Sequence, residues 1–418
     1  MKTLTRLGAV ALAGLAAAPV VSVAQTYDPG RLYGRVTTMD GSVYEGFIRW
    51  DQNEGHWTDV IDANKRLPRR FFREAAQLSG RPYRDRGDDG IRVFGLTIRS
   101  ESDNWPQTAT SAIRFGHVTK ITVLDDDFAL LALRSGQEQE LRRSSTDLGT
   151  SNRGIFVRET QGRETELDWN DLDFVEFLPA PEGAESPYGA RLFGTVETRA
   201  GTSFTGWVTW DMDEIFGEDV LDGEDGRDDL EIAFKDIQSI ERVSSNSAHV
   251  VLTSGREHDM RGTNDVNDGN RGILIGDPNL GQVTVQWDEF QRVRFMDPPQ
   301  SLPYEEFAGS WRLSGTVYTA DGEAFAGAIR WDNDEEWSWE MLGGDDRSIE
   351  YNVEFGAIQA IRKTSSRGAD VTLWDGRTLD LRNSNDVNDD NKGIFIQTDA
   401  GETALVRWEE FERVEFRR

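Results

Sequence analysis

The chain has 418 residues, a formal net charge of −29 and no cysteine. Such a charge repels phosphates, which disfavours a nucleic-acid partner, and the lack of cysteine excludes disulfides and thiolate metal sites. A hydrophobic fraction of 37% is enough for packed cores, and the length favours more than one domain.

The N-terminus has the pattern of a secretory signal peptide. Lys2 and Arg6 precede an apolar run at 7–21, and small residues follow at 22–24. This pattern predicts cleavage after Ala24, so that 1–24 is removed and the protein is periplasmic or secreted. No later stretch approaches the roughly 20 apolar residues that a bilayer-spanning helix needs, so we expect no transmembrane segment after cleavage.

One motif occurs three times along the chain. RLYGRVTTMDGSVYEGFIRWD begins at Arg31, RLFGTVETRAGTSFTGWVTWD at Arg191 and RLSGTVYTADGEAFAGAIRWD at Arg312. A second motif, which begins at Trp169, Trp287 and Trp408, ends each copy. The chain therefore reads as three tandem repeats. We call them segment one, segment two and segment three; they cover 31–178, 191–296 and 312–418, with linkers at 179–190 and 297–311.

Within each segment the apolar residues alternate with polar ones and are separated by glycine turns, which predicts an all-β fold. An aromatic-x-x-aliphatic-x-x-aliphatic unit occurs near the middle and again near the end of each segment, so each segment divides into two similar halves of about 55 residues. The predicted unit is a small antiparallel barrel or sandwich. In strand order and turn placement each half resembles SH3-like or PRC-type barrels, a resemblance that implies a fold but no site.

Acidic loops in the second halves are the candidate metal sites. NDVNDGNRGI begins at Asn264 and NDVNDDNKGI at Asn385, and segment one has the poorer TDLGTSNRGI at Thr146. Calcium prefers six to eight hard oxygen ligands. The candidate ligands are Asp265, Asn267, Asp268, Asn270, Asp386, Asn388, Asp389 and Asn391.

The loops WDMDE and WDNDEEW, which follow Trp210 and Trp331, are also acidic, and we expect them to face the Asp/Asn loops. The alternative is a purely structural turn. Asp and Asn side chains accept hydrogen bonds from nearby backbone N–H groups, and glycine adopts a positive φ without steric cost. The skeleton that all three loops share, Asp followed by Asn-x-Gly, is explained by a turn, whereas the extra acids of segments two and three are explained by a cation.

Segment one contains a basic insertion at about 57–110. Trp50 and Phe115 are 65 positions apart, whereas the corresponding residues of the other segments are 24 apart. The stretch LPRRFFREAAQL predicts a short helix with one apolar face. Its residues Arg69, Arg70, Phe71, Phe72 and Arg73 are candidates for docking an anionic partner; the alternative is that the insertion packs on the protein's own acidic surface.

No catalytic or phosphate-binding motif is present, and the four histidines occupy unrelated positions, of which only His56 lies in a potential loop site. We therefore expect a non-enzymatic, exported scaffold that binds a protein or an envelope polymer, with no cofactor other than calcium. The alternatives are a calcium-stabilised module that binds carbohydrate or envelope polymer, and a hydrolase.

Overall fold

The computed structural model describes residues 28–80, 91–93, 96–98, 107–185 and 188–418. The predicted signal peptide at 1–24 and part of the predicted insertion lie outside these residues.

The described chain is mostly strand, as predicted. Its first 12 strands, with β4 and β5 forming a separate hairpin, are β1 (Tyr33–Thr38), β2 (Val43–Trp50), β3 (Val60–Arg66), β4 (Ile91–Val93), β5 (Leu96–Ile98), β6 (Thr108–Arg114), β7 (Val118–Val123), β8 (Phe128–Leu133), β9 (Glu138–Arg143), β10 (Ile155–Arg158), β11 (Glu164–Leu167) and β12 (Leu172–Phe177).

The strands of segment two are β13 (Phe193–Thr198), β14 (Ser203–Thr209), β15 (Val220–Asp225), β16 (Asp228–Ala233), β17 (Ile237–Ser244), β18 (Ser247–Leu252), β19 (Glu257–Arg261), β20 (Ile273–Asp277), β21 (Gly281–Val285) and β22 (Phe290–Phe295). Those of segment three are β23 (Ser314–Thr319), β24 (Ala324–Arg330), β25 (Met341–Asp346), β26 (Ile349–Glu354), β27 (Ile358–Ser365), β28 (Gly368–Leu373), β29 (Thr378–Arg382), β30 (Ile394–Thr398), β31 (Thr403–Val406) and β32 (Phe411–Phe416).

The helical elements are short. One α-helix, α1, spans Arg69–Ser79 within the predicted insertion, where the sequence predicts a helix. The 3-10 helices are Phe115–His117, Trp169–Asp171, Phe234–Asp236, Asn264–Val266, Tyr304–Ala308 and Phe355–Ala357. Within the described part of the chain, no helix combines the length and the hydrophobicity that crossing a bilayer requires.

The strands form two large antiparallel sheets. The order in the first sheet is β11-β10-β2-β1-β12-β7-β8-β9-β3-β6. The corresponding strands of segments two and three pair in the same order, and β21 pairs with β26 so that these two segments share the second sheet. Residues 281–285 are aligned with 349–353 in that junction.

Of the two predicted forms, barrel and sandwich, the closed barrel is wrong for the described residues, because each segment continues as an open sheet. The reason lies in the strand at the end of each segment, which is paired on both edges. In β12, Val175 is aligned with Val36 of β1 on one side and with Ile121 of β7 on the other. The two halves of the segment are therefore joined along β12, and neither half closes on itself. Whether each half is related to SH3-like or PRC-type units stays a prediction.

The core of each segment is centred on the tryptophan at the end of its second strand: Trp50 is the last residue of β2, and Trp210 and Trp331 directly follow β14 and β24. Trp50 is fully buried, and its ring lies edge-on to Trp169 with centroids 6.3 Å apart. Trp210 and Trp331 make the same contact with Trp287 and Trp408. Because these rings fill the space between the two halves, the loop that directly follows each one is held against the core.

Candidate functional site

The chain makes a tight turn directly after each core tryptophan. In segment one, Trp50 and Glu54 exchange two backbone hydrogen bonds of 2.7 and 3.0 Å. Asp51 and Gln52 inside the turn have φ values of 46° and 68°, and the same conformation occurs at 211–212 and 332–333. Residues other than glycine rarely adopt positive φ, so other contacts must hold these turns in place.

The first aspartate of each turn supplies those contacts. Asp51 Oδ1 accepts the backbone N–H of Arg153 at 2.6 Å, and its Oδ2 accepts hydrogen bonds from the side chains of Thr146 and Arg153. Asp211 accepts the backbone N–H of Arg271 at 2.5 Å in the same way. The aspartate thus fastens the post-tryptophan loop to the Asp/Asn loop, and the two loops face each other as the sequence predicts.

A second aspartate, which belongs to the Asp/Asn loop, lies close to the post-tryptophan loop. Asp147 Oδ2 accepts the backbone N–H of Asp62 at 2.6 Å, and its carbonyl oxygen accepts the indole N–H of Trp50 at 2.8 Å. The equivalent indole bonds to Asp265 and Asp386 are 3.0 and 2.9 Å long. Each Asp/Asn loop is therefore positioned by the core tryptophan beneath it.

Three carboxylates converge where the loops of segment one meet. Asp51, Glu54 and Asp147 each place a carboxylate oxygen within 4.8 Å of the other two, and no other group of three such ligands among the described residues is as close. Their exposed fractions are 0%, 4% and 5%. We call these three residues the first cluster; the corresponding second cluster is Asp211, Glu214 and Asp265, and the third is Asp332, Glu335 and Asp386.

The glutamate of the first cluster has an unsatisfied oxygen. Glu54 Oε2 is buried and has no hydrogen-bond partner. The equivalent oxygens of Glu214 and Glu335 are also buried and also lack a hydrogen-bond partner. Burial, followed by the nearby charge of Asp147, raises the pKa of Glu54 well above its ordinary value. A buried oxygen without a donor is costly, and here it recurs at one position of three related loops.

Carboxyl groups of the other two clusters also have raised pKa values. Burial and the charge of Asp265 raise the pKa of Glu214 to about 9, and burial raises the pKa of Asp265 to about 6. Burial also raises the pKa of Glu335 well above its ordinary value, as does the charge of the neighbouring Asp334. In each cluster the glutamate therefore holds its proton more tightly than a free carboxyl group does.

The eight ligands predicted from the sequence separate into two groups. Asp265 and Asp386 belong to the second and third clusters. The amide oxygens of the four asparagines instead accept hydrogen bonds from backbone N–H groups two residues further on. Asn267 accepts from Gly269 (2.7 Å), Asn270 from Gly272 (3.0 Å), Asn388 from Asp390 (2.7 Å) and Asn391 from Gly393 (2.9 Å).

Asp268 and Asp389 are exposed, and their backbone N–H groups donate to the carbonyl oxygens of Ser245 and Ser366. Most of the Asp/Asn motif therefore builds a turn, and only its first aspartate reaches a carboxylate cluster. The sequence places the candidate metal in segments two and three, whereas the tightest cluster lies in segment one, around Asp147.

Sequence reasoning missed the glutamates as a repeated feature. The signal was present as Trp-Asp-x-[Asn/Asp]-Glu, which occurs at 50–54, 210–214 and 331–335. Its meaning depends on the backbone bonds that fold the glutamate back towards the aspartates, and these appear only in the structure.

The side chain of Lys65, which belongs to segment one, lies beside the third cluster. Lys65, on β3, is 2% exposed, and its Nζ lies 2.7 Å from Glu340 Oε1, 3.3 Å from Asp334 Oδ2 and 3.6 Å from Glu335 Oε1. Burial lowers the pKa of this ammonium, but the surrounding carboxylates outweigh burial and hold the pKa well above its ordinary value.

The candidate partner-binding residues of α1 have two different environments. Phe71 and Phe72 are buried, whereas Arg69, Arg70 and Arg73 are exposed. Arg70 forms an ion pair of 3.1 Å with Glu336 of segment three. The two aromatic rings thus pack inside the chain, as in the alternative in which the insertion docks on its own protein.

His56 lies at the junction between segments one and two. Its ring is fully buried and packs against Trp207, with centroids 4.5 Å apart, and its Nδ1 lies 3.0 Å from Thr58 Oγ1. His56 therefore packs inside the junction between the two segments.

Comparison with protein-family models gives no match, and comparisons with curated proteins and with solved structures give none either.

Proposed function

We propose that the protein is a non-enzymatic, exported scaffold of three tandem β-repeats in which a buried carboxylate cluster binds a divalent cation. The cation is calcium, and the main site is the first cluster. The observation that carries the proposal is the buried, unpartnered oxygen of Glu54 within 4.8 Å of two further carboxylates.

Electrostatics supports a cation at this position. Two negative charges about 4 Å apart repel by about 4 kcal/mol at the effective dielectric constant of a protein surface, and more when buried. The guanidinium of Arg153 lies 3.2 Å from Asp51, so it compensates part of this charge, while Glu54 and Asp147 receive no ion pair in the described structure. A divalent ion between the three carboxylates removes the repulsion and satisfies Glu54 Oε2.

The donor set selects the kind of ion. All three ligands are carboxylate oxygens, which suit hard cations, and the cluster contains neither sulfur nor imidazole, which favour zinc and copper. Calcium tolerates a variable ligand number and irregular geometry, whereas magnesium demands near-ideal octahedral geometry. Calcium modules outside the cell bind with Kd values of about 10⁻⁴ to 10⁻³ M, and we expect the same range here because export is predicted.

The scaffold role is supported by how the segments are joined. Arg49 pairs with Asp219 at 2.7 Å and Arg191 with Asp59 at 3.1 Å, so segments one and two exchange ion pairs in both directions, the first half-buried and the second largely buried. Segments two and three share a sheet. A rigid frame of this kind presents its exposed acidic loops to a protein or an envelope polymer with positively charged groups.

The test is thermal unfolding and calorimetric titration of the purified protein with calcium, compared with Glu54→Gln. We expect millimolar calcium to raise the melting temperature of the wild type, since a ligand at 100 times its Kd adds about 2.7 kcal/mol. Glu54→Gln keeps the side-chain shape but removes one ligand charge, so the calcium response is lost or at least tenfold weaker.

Glu138→Gln is the matched control, because Glu138 is exposed on β9 and lies outside the cluster; it should respond as the wild type does. The proposal is wrong if calcium leaves the wild type unchanged and Glu54→Gln is simply more stable at every calcium concentration.

A further inference from the structure

The third cluster differs from the first in having a lysine beside its glutamate, with Lys65 Nζ 3.6 Å from Glu335 Oε1. Lys65 lies near the C-terminal end of β3 and reaches towards segment three, where its Nζ also donates to the carbonyl oxygen of Asp334 at 3.0 Å. Its side chain and those of Asp334 and Glu335 are each between 3% and 4% exposed. A lysine this deeply buried is rare unless its charge is matched, and here three carboxylates surround it.

Two of the three acids around Lys65, Asp334 and Glu340, lie outside the third cluster. Asp334 stands where segment one has Asn53, and Glu340 stands where segment one has Asp59. Glu340 is additionally fixed by two backbone N–H groups, from Glu336 at 2.6 Å and Trp337 at 2.9 Å. The carboxylates are thus positioned by the fold of segment three and not by Lys65 alone.

We propose that Lys65 is the built-in cation of the third cluster and excludes a divalent ion from it. The inference rests on the proposed function, because it assumes that the corresponding first cluster holds calcium. The ammonium of Lys65 supplies positive charge beside Glu335, the member of the third cluster that corresponds to Glu54. Because Lys65 belongs to segment one, the same contact also joins segments one and three.

Repulsion between like charges accounts for the exclusion, because an ion bound to Glu335 would lie next to the ammonium of Lys65, whose Nζ is 3.6 Å from Glu335 Oε1. Glu335 Oε2 is buried without a partner, so it becomes available as a ligand once that positive charge is removed. A cavity of about 450 Å³ borders the cluster and is lined by Asp332, Asp334 and Asp386, which leaves room for an ion and its water ligands once the lysine is shortened.

The test is the number of terbium ions bound per chain by the wild type and by Lys65→Met. Terbium prefers oxygen ligands as calcium does. Its luminescence increases when an excited tryptophan close to the bound ion transfers energy to it. Trp331 is suitable, since its indole donates to the carbonyl of Asp386 in the third cluster. We expect Lys65→Met to bind one more terbium ion than the wild type, with calcium displacing it.

Two further variants locate the added site. Arg66→Met, the matched control, removes a neighbouring charge whose ion pair with Glu140 is largely exposed, and it should bind as the wild type does. Adding Glu335→Gln to Lys65→Met should abolish the extra ion. If Lys65→Met does not fold without metal, Lys65→Met with Glu340→Gln removes the carboxylate nearest to Lys65 and carries the same expectation.

The outcomes separate the two proposals. Wild-type binding that is lost in Glu54→Gln supports the proposed function, whatever happens at Lys65. The Lys65 inference is overturned if the wild type binds an ion but the Lys65 variants bind no more than it does. An extra ion in Lys65→Met with none in the wild type would support the third cluster and refute the first.

Discussion

At the scale of single residues, the Asp/Asn loops show that one motif serves two purposes. The asparagine oxygens of Asn270 and Asn391 fasten the backbone of a turn, while the aspartates at the start of the same loops point into carboxylate clusters. The sequence presents a turn and a metal loop as alternatives, although adjacent side chains can divide the two tasks between them.

Gly393, which ends the loop of segment three, provides a test of the turn. Its φ is 110°, and a Cβ at this position would lie 2.5 Å from Leu405 Cδ1, whereas Gly401 has a φ of 84° and nothing within 4 Å. We expect Gly401→Ala to lower the free energy of unfolding by about 1 to 2 kcal/mol through backbone strain alone. Gly393→Ala should cost about 1 kcal/mol more, because its methyl group forces the side chain of Leu405 away from its preferred rotamer. Urea unfolding of both variants measures the difference; equal losses would contradict a close-packed turn.

At the scale of elements, α1 acts as a cover for an exposed sheet edge. Among the described strands, the paired residues of β31 all lie on β30, and α1 lies beside β31, with Glu74 accepting hydrogen bonds from Thr403 at 3.0 Å and Arg330 at 2.6 Å. Covering an edge strand prevents its free backbone groups from pairing with other chains. The insertion is thus accounted for within the molecule, although its exposed arginines remain candidates for partner binding.

Phe71 is the anchor of this helix. It is 3% exposed, and the guanidinium of Arg330 lies 4.2 Å from the centre of its ring. We expect Phe71→Ala to lower the free energy of unfolding by about 3 to 5 kcal/mol and to accelerate hydrogen exchange in β31. Arg73→Ala, on the exposed face of the same helix, should stay within about 0.5 kcal/mol of the wild type. Unchanged exchange in β31 after Phe71→Ala would show that the helix does not protect the edge.

At the scale of the whole molecule, the three segments are connected pairwise. An ion-pair network on Glu354 joins segments one and three: its carboxylate lies 3.3 Å from Arg114 and 2.9 Å from His117. Arg114 also donates at 2.8 Å to the carbonyl oxygen of Asp277 in segment two, so the network touches all three segments. Burial raises the pKa of Glu354, but Arg114 and His117 outweigh burial and lower the pKa below its ordinary value.

The lowered pKa sets the direction of a pH effect. A carboxylate whose pKa is lower in the folded state stabilises the fold above its unfolded pKa of about 4.3, and this stabilisation is lost as the pH falls through the folded value. At neutral pH, Glu354→Gln should therefore cost about 3 kcal/mol, because it leaves Arg114 buried without its partner. The difference from the wild type should shrink below about pH 4. Unfolding free energies of both proteins across this range test the expectation; a constant difference would contradict it.

By itself, the sequence determined the all-β fold, the place of helix α1 and the meeting of two acidic loops. These features follow from local causes, namely the alternation of apolar residues, the apolar face of one helix and the turn chemistry of Gly, Asn and Asp. Only the tertiary structure decided that the sheets stay open, because that depends on β12 pairing along both edges.

Tertiary structure also decided which acids form the clusters. Glu54 and Asp147 are 93 positions apart, and Lys65 reaches Glu340 across 275 positions. No local pattern encodes such distances. Burial and convergence of charge arise only when separate segments pack together, and they are what turn ordinary acidic loops into candidate cation sites.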